Sequence, residues 1–572
     1  MDQQHEHRPE TPNHKRKLTR FAAVIKTLSR EGLNKLGHQL LKKEQKEHYI
    51  KNSHTVAIGQ PMCGSYHILY PIQVDGKPEW LIRIPSNGVK GKWDQQSADA
   101  LVSEAKTMNY LHNTCVNGGP PKLPIPRVIA FSDTTNNSIS CPYIALAFID
   151  GVPLYKVWFQ DRLQPGRVDA ATVQKHRMRT LDGLVEAMAE LGKHTFDQGG
   201  SLVFEDSISE KGHTFLNRQS EAKLLKVGPA RLPDVEAMLA RAVEEDNKSG
   251  EAVSPTEQAD ANDQSCTQTH NSVLWAAFAF VKKAMKILNP LSKYTTRRVN
   301  SSSATAANRT GSGSRSPDDD STDTLLYYTW GPSSTPSAYI TAPLDRRSPD
   351  HPFQKGVDAL IRKLIFWIPD PFTAREHGQF VLRHPDLNMQ NIIVSDDGTV
   401  VGIIDWDGVA AVPRCLGSEC YPMFLTRDWN PCIYEYDPRV DDSNNNIVDP
   451  ESPEIWEDSP EALSKLRGEY LMRAAQLREN QAPFSENLTA ITRQSVVTEN
   501  IAIAAFDPLC RSHTLRKIVS ESWKALQRST GEDYTHIILY DVIQMFVTGD
   551  PDPSVMSALE KAFLKLLETV DT

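Results

Sequence analysis

Residues 384 to 408 read HPDLNMQNIIVSDDGTVVGIIDWDG. NIIV (391–394) and VVGII (400–404) have the character of two short strands, and Ser395-Asp396-Asp397-Gly398 between them has the composition of a turn. A hairpin there brings its outer ends together, with Asp386 and Asn391 at the entry and Asp405 at the exit. Two carboxylates and an amide carbonyl form an all-oxygen shell, which suits Mg²⁺ rather than zinc or copper. The roles then separate. Asp386, ahead of the hairpin, is free to accept a proton from a substrate hydroxyl, while Asn391 and Asp405 would hold Mg²⁺ against nucleotide phosphates. Phosphoryl transfer is catalysed mainly by positioning and charge neutralisation, so a set this small suffices. His384 is grouped with the catalytic residues, with the expectation that it braces the loop backbone.

The elements that must position these residues are legible as hydrophobic periodicity. Residues 66–74 and 79–84 read as strands joined at Asp75-Gly76-Lys77-Pro78, a hairpin signal. A helical stripe follows, with Ala98, Leu101, Val102, Ala105 and Met108 on one face. Residues 126–131 and 142–149 read as two more strands. Beyond Gly151 the pattern turns helical, with an apolar stripe at Leu181, Leu184, Val185, Met188 and Leu191. Residues 1–50 form a basic extension in which Leu18, Phe21, Ile25 and Leu28 recur at helical spacing. A packed flanking helix is preferred there to a membrane-surface one, and Gly32 and Gly37 argue against a long helix.

From 246 to about 353 the pattern breaks. Residues 246–323 are rich in Ser, Thr, Asn, Asp and Gly, and 331–353 are Pro-rich. Such a composition buries too little apolar surface to order itself, so this stretch reads as a largely disordered insertion available to a protein partner. The apolar run VLWAAFAFVKKAMKIL (273–288) inside it fits docking on the domain or on a partner equally well. The organisation expected is therefore an extension (1–50), a nucleotide-binding lobe (51–150) and a helical lobe (151–572) carrying the insertion.

Composition narrows the class. The 572 residues are 39% hydrophobic, enough for a large core, and the net charge of −9 argues against nucleic acid as a partner. The longest apolar run is too short for a transmembrane segment, and the polar N-terminus has no secretory core. Eight scattered cysteines without a CxxC pair indicate reduced thiols. A cytoplasmic protein is the expectation. Residues 435–461 hold ten acids against one base, Arg439, and are read as a solvated acidic loop in preference to a surface that attracts a polycationic or amine-bearing substrate.

HPDLNMQNIIV with GIIDWDG resembles the aminoglycoside phosphotransferase family, also called the phosphotransferase enzyme family, whose members share the protein-kinase-like fold. AVPRCLG (411–417) and YPMFLTRDW (421–429) resemble its fungal members, and the similarity covers roughly 55–205 and 355–540. The resemblance implies an α+β, two-lobed fold with a β-rich N-lobe and a mainly helical C-lobe. It implies ATP and Mg²⁺ as cofactors and a small-molecule hydroxyl as acceptor. It also assigns the nucleotide side of the site. The Gly64-Ser65 turn would approach phosphate, and Arg83 stands where many kinase-like folds use lysine, with Glu104 as its ion-pair partner. The backbone of Ala147 and Phe148 would meet adenine. The chain departs from the pattern at Arg83 and has no GxGxxG. A pseudokinase-like scaffold therefore stays open beside the small-molecule kinase. A protein kinase is disfavoured, since IDWDG replaces DFG and no APE-like element follows.

Overall fold

The computed structural model describes residues 20–48, 54–64, 66–114, 123–164, 166–205, 212–216, 223–234, 237–238, 327–346, 349–369, 378–438, 457–479, 485–549 and 551–570. Leu18, Ser65, the apolar run 273–288 and most of the acidic stretch (439–456) lie outside these residues.

The N-terminal lobe is an antiparallel sheet built from β1 (Val56–Ile58), β2 (Met62–Cys63), β3 (His67–Val74), β4 (Lys77–Pro85), β5 (Val128–Ser132), β6 (Tyr143–Ala147) and, from further along the chain, Thr214–Phe215. The spatial order is β1-β3-β4-β6-β5, with Thr214–Phe215 at the edge and β2 paired to β3. The β3–β4 hairpin turns at Asp75 and Gly76, both with positive φ (51° and 81°), as a tight two-residue turn between right-twisted strands requires.

Two layers cover the sheet. Helices α1 (Ala22–Thr27) and α2 (Arg30–His48) seal one face: Phe21, Val24, Leu33, Leu36 and Leu40 pack in one core with Ile68, Ile72, Trp80 and Ile82. Ile25 turns outward and Gly32 and Gly37 lie inside α2, against the expectations drawn from the sequence. A Cβ on Gly32 would sit 1.8 Å from the Ser138 carbonyl oxygen, and one on Gly37 would sit 2.8 Å from Val56. These glycines let the helix approach the lobe closely, and that packing overrides their poor helix propensity. Helix α3 (Gln95–Thr114) buries Ala98 and sends Leu101, Ala105 and Met108 into a second core, which continues into the helical lobe through Leu181, Leu184, Leu364 and Trp523.

In the second lobe, α4 (Ala170–Leu191) starts from Asp169, whose carboxylate accepts the Thr172 N–H. Residues 331–353, taken from sequence as part of the insertion, contain α5 (Pro336–Asp345) and the start of α6 (Pro352–Trp367). Pro336 and Pro352 open the two helices, in first-turn positions where the missing N–H costs nothing, while Pro343 lies inside α5. Short strands β7 (Val152–Pro153), β8 (Thr195–Phe196), β9 (Gly200–Phe204), β10 (Thr214–Phe215) and β11 (Leu224–Val227) precede a hairpin in which β12 (Ala230–Pro233) pairs with β13 (Tyr327–Trp330), Ala230 opposite Trp330 and Pro233 opposite Tyr327. Five further helices follow among the described residues, over Pro460–Arg478, Ser485–Phe506, Arg511–Thr530, Leu539–Thr548 and Pro553–Thr569. Among the described residues no helix is long and apolar enough to cross a membrane.

A β-rich lobe with a helix laid across its sheet, joined through residues 148–151 to a helical lobe that carries a hairpin on the cleft floor, is a two-lobed kinase-like fold.

Candidate active site

The floor hairpin follows β14 (Phe380–Arg383) and consists of β15 (Ile392–Val394) and β16 (Val400–Ile403), with Ile392 opposite Ile403. Beyond the last pair, the Ile404 N–H donates to the Asn391 carbonyl at 2.9 Å. This bond draws the entry and exit of the hairpin together. Trp406 is fully buried and its indole N–H donates to the Ile403 carbonyl at 2.8 Å. With Trp406 anchored inward, its two neighbours, Asp405 and Asp407, are left at the cleft.

His384 is buried between these segments. Its Nε2–H donates to the Ile404 carbonyl at 3.0 Å, its Nδ1 accepts the Asp386 N–H at 3.2 Å, and its ring meets Trp406 edge-on at 4.7 Å. Both nitrogens are committed to backbone, so the imidazole ties the loop to the hairpin exit. Burial pushes its pKa down to about 4, with the Ile404 carbonyl opposing and Arg383 assisting, so the ring is neutral near pH 7.

Asp386 is held by three side-chain amides. Asn388 donates to Oδ1 at 2.6 Å, and Gln390 and Asn391 donate to Oδ2 at 3.0 and 2.9 Å. Asn391 also donates to the Asp386 carbonyl at 2.9 Å. The orientation of the carboxylate is therefore fixed. Burial raises its pKa to about 6, with Asp405 adding to the rise and the amide donors opposing it. Asn388 and Gln390 stand inside HPDLNMQN, but the spacing of acid and amide alone did not single them out.

Asp405 has φ +66°, a left-handed conformation that is uncommon outside glycine and that concentrates at functional sites. Its side chain is 48% exposed, and one oxygen lies 3.2 Å from Arg83 Nη1. Enclosure by the cleft walls raises its pKa, with Arg83 lowering it and Asp407 raising it. Arg83, buried on β4, also donates through Nη2 to one carboxylate oxygen of Glu104 on α3. Burial pushes Glu104 up to about 8 while the arginine pulls it back. One guanidinium thus joins the sheet, helix α3 and the exit of the floor hairpin.

The donor set fits Mg²⁺. Because the Asn391 NH₂ is spent on Asp386, its carbonyl oxygen is the group left to offer, beside the half-open Asp405 carboxylate. Among the described residues no cluster of three or more His, Cys, Asp or Glu side chains is arranged around a common point. Mg²⁺ needs no such cage, since it keeps several waters and takes the rest of its ligands from one or two carboxylates and substrate phosphates.

The nucleotide side differs from expectation at three positions. The Gly64 N–H is bonded to the His67 carbonyl at 2.8 Å and so is not directed at the cleft. The Ala147 N–H donates to the Arg127 carbonyl at 2.8 Å and the Phe148 N–H to the Glu79 carbonyl at 2.9 Å. A base at this edge finds neither donor free; sheet register, invisible in the sequence, has used both. The acidic stretch also changes character at its described end. Glu457 is buried against Arg427, and Asp458 accepts the Trp158 indole N–H at 2.7 Å and lies 3.3 Å from Arg177. These acids are internal partners rather than a solvated surface.

Two further residues, not singled out from the sequence, reach the cleft from the β12–β13 hairpin. The Arg231 guanidinium stacks on the Tyr327 ring at 3.6 Å and lies 3.8 Å from an Asp407 oxygen.

No family model matches the chain. A protein of Clavispora lusitaniae named altered inheritance of mitochondria protein 9, mitochondrial, is 27% identical over 171 residues, covering 29% of this chain and 26% of the relative. A protein of the same name from Candida albicans is 30% identical over 145 residues, covering 25% and 21%. The chain thus spans about a quarter of the length of the curated relatives it matches. Among solved structures, a thermostable mutant of an aminoglycoside phosphotransferase is 11% identical, with 83% of this chain and 98% of that chain covered and a TM-score of 0.28. Plasmodium vivax ethanolamine kinase is 12% identical, with 88% and 84% covered and a TM-score of 0.29. The relatives' names correct the cytoplasmic expectation, since both carry a mitochondrial designation. Scattered thiols speak only to a reducing compartment and do not single out the cytosol.

Proposed function

We propose that this chain is a phosphotransferase that moves the γ-phosphoryl group of ATP to a hydroxyl of a small molecule. The observation that carries the proposal is the fixed carboxylate of Asp386, oriented by three amides on the same cleft floor as Asp405. In this reading Asp386 takes the proton of the acceptor hydroxyl as that oxygen bonds to the γ-phosphorus. The bond from phosphorus to the β–γ bridging oxygen breaks, leaving ADP. Asn391 and Asp405 would hold Mg²⁺, which supplies charge neutralisation at the phosphates. Arg83, held by Glu104, presents a permanent cation to the same phosphates, and its planar fork suits them at least as well as lysine does. Membership of the aminoglycoside phosphotransferase family is the finer part of the proposal and rests on HPDLNMQN and IDWDG. The relatives' names support the mitochondrion as its place of action.

A second reading, a nucleotide-binding module without turnover, is favoured by one observation: Arg83 reaches Asp405 itself and competes with a metal for that carboxylate. The test that separates the two is a panel of hydroxylated metabolites incubated with Mg-ATP and read by ADP release, with Asp386→Asn beside the unaltered protein. Turnover that Asp386→Asn abolishes supports the enzyme. ATP binding with no turnover across the panel favours the module.

A further inference from the structure

A cavity of about 70 Å³ opens between β4, the start of α3 and the β12–β13 hairpin, with Arg83, Glu104, Arg231, Tyr327 and Asp407 among its walls. Whole ligands occupy pockets of about 300–1,000 Å³. This one suits a single tetrahedral anion group and not a nucleoside. Two guanidiniums from different lobes meet in it. The Nε atoms of Arg83 and Arg231 are buried and find no partner among the described residues. His67, also on the wall, is kept neutral by burial and by Arg83, so it adds no competing charge.

Glu104 and Asp407 bring negative charge to the same walls, but they are not equally committed. Glu104 is in close contact with Arg83. Arg231 and Asp407 stand 3.8 Å apart, well beyond the roughly 2.7–2.9 Å of a strong charge-assisted hydrogen bond. Arg231 is held instead by its stack on Tyr327, which fixes the guanidinium plane while leaving its N–H edge available.

We propose that Arg231 is the second phosphate-binding cation of the cleft, delivered by the hairpin whose two strands flank residues 234–326. The inference rests on the reading of the cleft as a nucleotide site and adds to it a phosphate ligand that belongs to neither the sheet nor the floor hairpin. Occupancy of the cavity and the docking of the β12–β13 hairpin are then coupled, because the hairpin supplies one of the two cations.

The test is binding of inorganic tripolyphosphate to the full chain by titration calorimetry, without added metal or acceptor, so that neither turnover nor the metal ligands enter the readout. The unaltered protein is expected to bind, and Arg231→Gln to bind at least tenfold more weakly. Arg231→Lys, which keeps the charge and loses the fork, should fall between them. Tyr327→Leu, which removes the ring and leaves the arginine, should lose severalfold and serves as the comparison if Arg231→Gln does not fold. No binding by the unaltered protein, or equal affinity in the folded variants, overturns the proposal. ATP turnover that persists beside equal affinities would sink this inference alone. Loss of tripolyphosphate in Arg231→Gln from a chain with no turnover would uphold it while sinking the enzymatic reading.

Discussion

Two hairpins approach the cleft, and they are built on opposite principles. The β15–β16 hairpin closes through Ser395-Asp396-Asp397-Gly398, where Asp397 accepts the Thr399 N–H at 3.1 Å and Gly398 takes φ +84°. Its register is set locally, by turn chemistry and a few apolar side chains. The β12–β13 hairpin joins strands separated by residues 234–326, and closure entropy grows with such a separation. What holds it is aromatic. Tyr328 stacks on Trp330 at 5.4 Å, and Trp330 in turn meets Tyr339 of α5 at 5.4 Å and Phe506 at 6.5 Å. The first hairpin carries Asp386 and Asp405 as a preorganised pair. The second contributes Arg231 and Tyr327, whose positions depend on packing against the rest of the lobe.

The largest expected effect lies on the local hairpin. Asp386→Asn keeps the shape and one acceptor oxygen but cannot take a proton, so turnover should drop by about 10²- to 10⁴-fold, the usual contribution of a positioned acid–base group. ATP affinity should change little. Near-normal turnover in the variant, measured with any acceptor the protein uses, would reduce this hairpin to a structural motif.

The difference in legibility has the same physical origin. Asp386, Asn391 and Asp405 were readable because a short turn converts sequence spacing directly into spatial proximity. Arg83 and Glu104 were identified through the resemblance, and the structure brings them into contact. Arg231 and Tyr327 were not legible, since their contact joins residues on either side of an unpatterned stretch and no local periodicity announces it. Gly32 and Gly37 misled for a related reason, as their role is set by Ser138 and Val56, which are distant in sequence. The donors of Ala147 and Phe148 depend on register, which alternation along a strand does not reveal.

Packing variants sharpen the comparison. Ile392→Ala, at a fully buried position of the local hairpin, should cost about 2–5 kcal/mol in denaturant unfolding. Trp330→Ala, at a half-buried position of the aromatic hairpin, should cost roughly 2–3 kcal/mol. The tryptophan variant should also weaken tripolyphosphate binding, which the isoleucine variant should leave intact. Equal effects of both on anion binding would remove the distinction between the hairpins.

A smaller effect is expected in the pH dependence of stability, and its sign differs between neighbours. The pKa of His384 falls from about 6.5 unfolded to about 4 folded. Its contribution is complete above pH 6.5 and is lost as pH falls toward 4, by roughly 3 kcal/mol at most. Asp386 works the other way. Its pKa is raised from 3.8 to about 6, so its carboxyl opposes folding above pH 6 and that cost is relieved as pH falls toward 3.8. The unaltered protein should therefore show a shallow acid limb. Asp386→Asn should steepen it and His384→Gln should flatten or invert it, as read by denaturant midpoints between pH 7 and pH 4.5. Parallel limbs in all three proteins would contradict the opposed roles assigned to these residues. For the same reason, turnover should fall as the pH drops through about 6, where the base takes up its proton.

The most direct test of the floor hairpin as a phosphotransfer site is ATP affinity measured by calorimetry on the unaltered protein, with and without Mg²⁺. If Asn391 and Asp405 hold the metal against the phosphates, ATP binds more tightly with Mg²⁺, and Asp405→Ala removes that gain while leaving the fold intact. Equal affinity with and without Mg²⁺ would contradict the account.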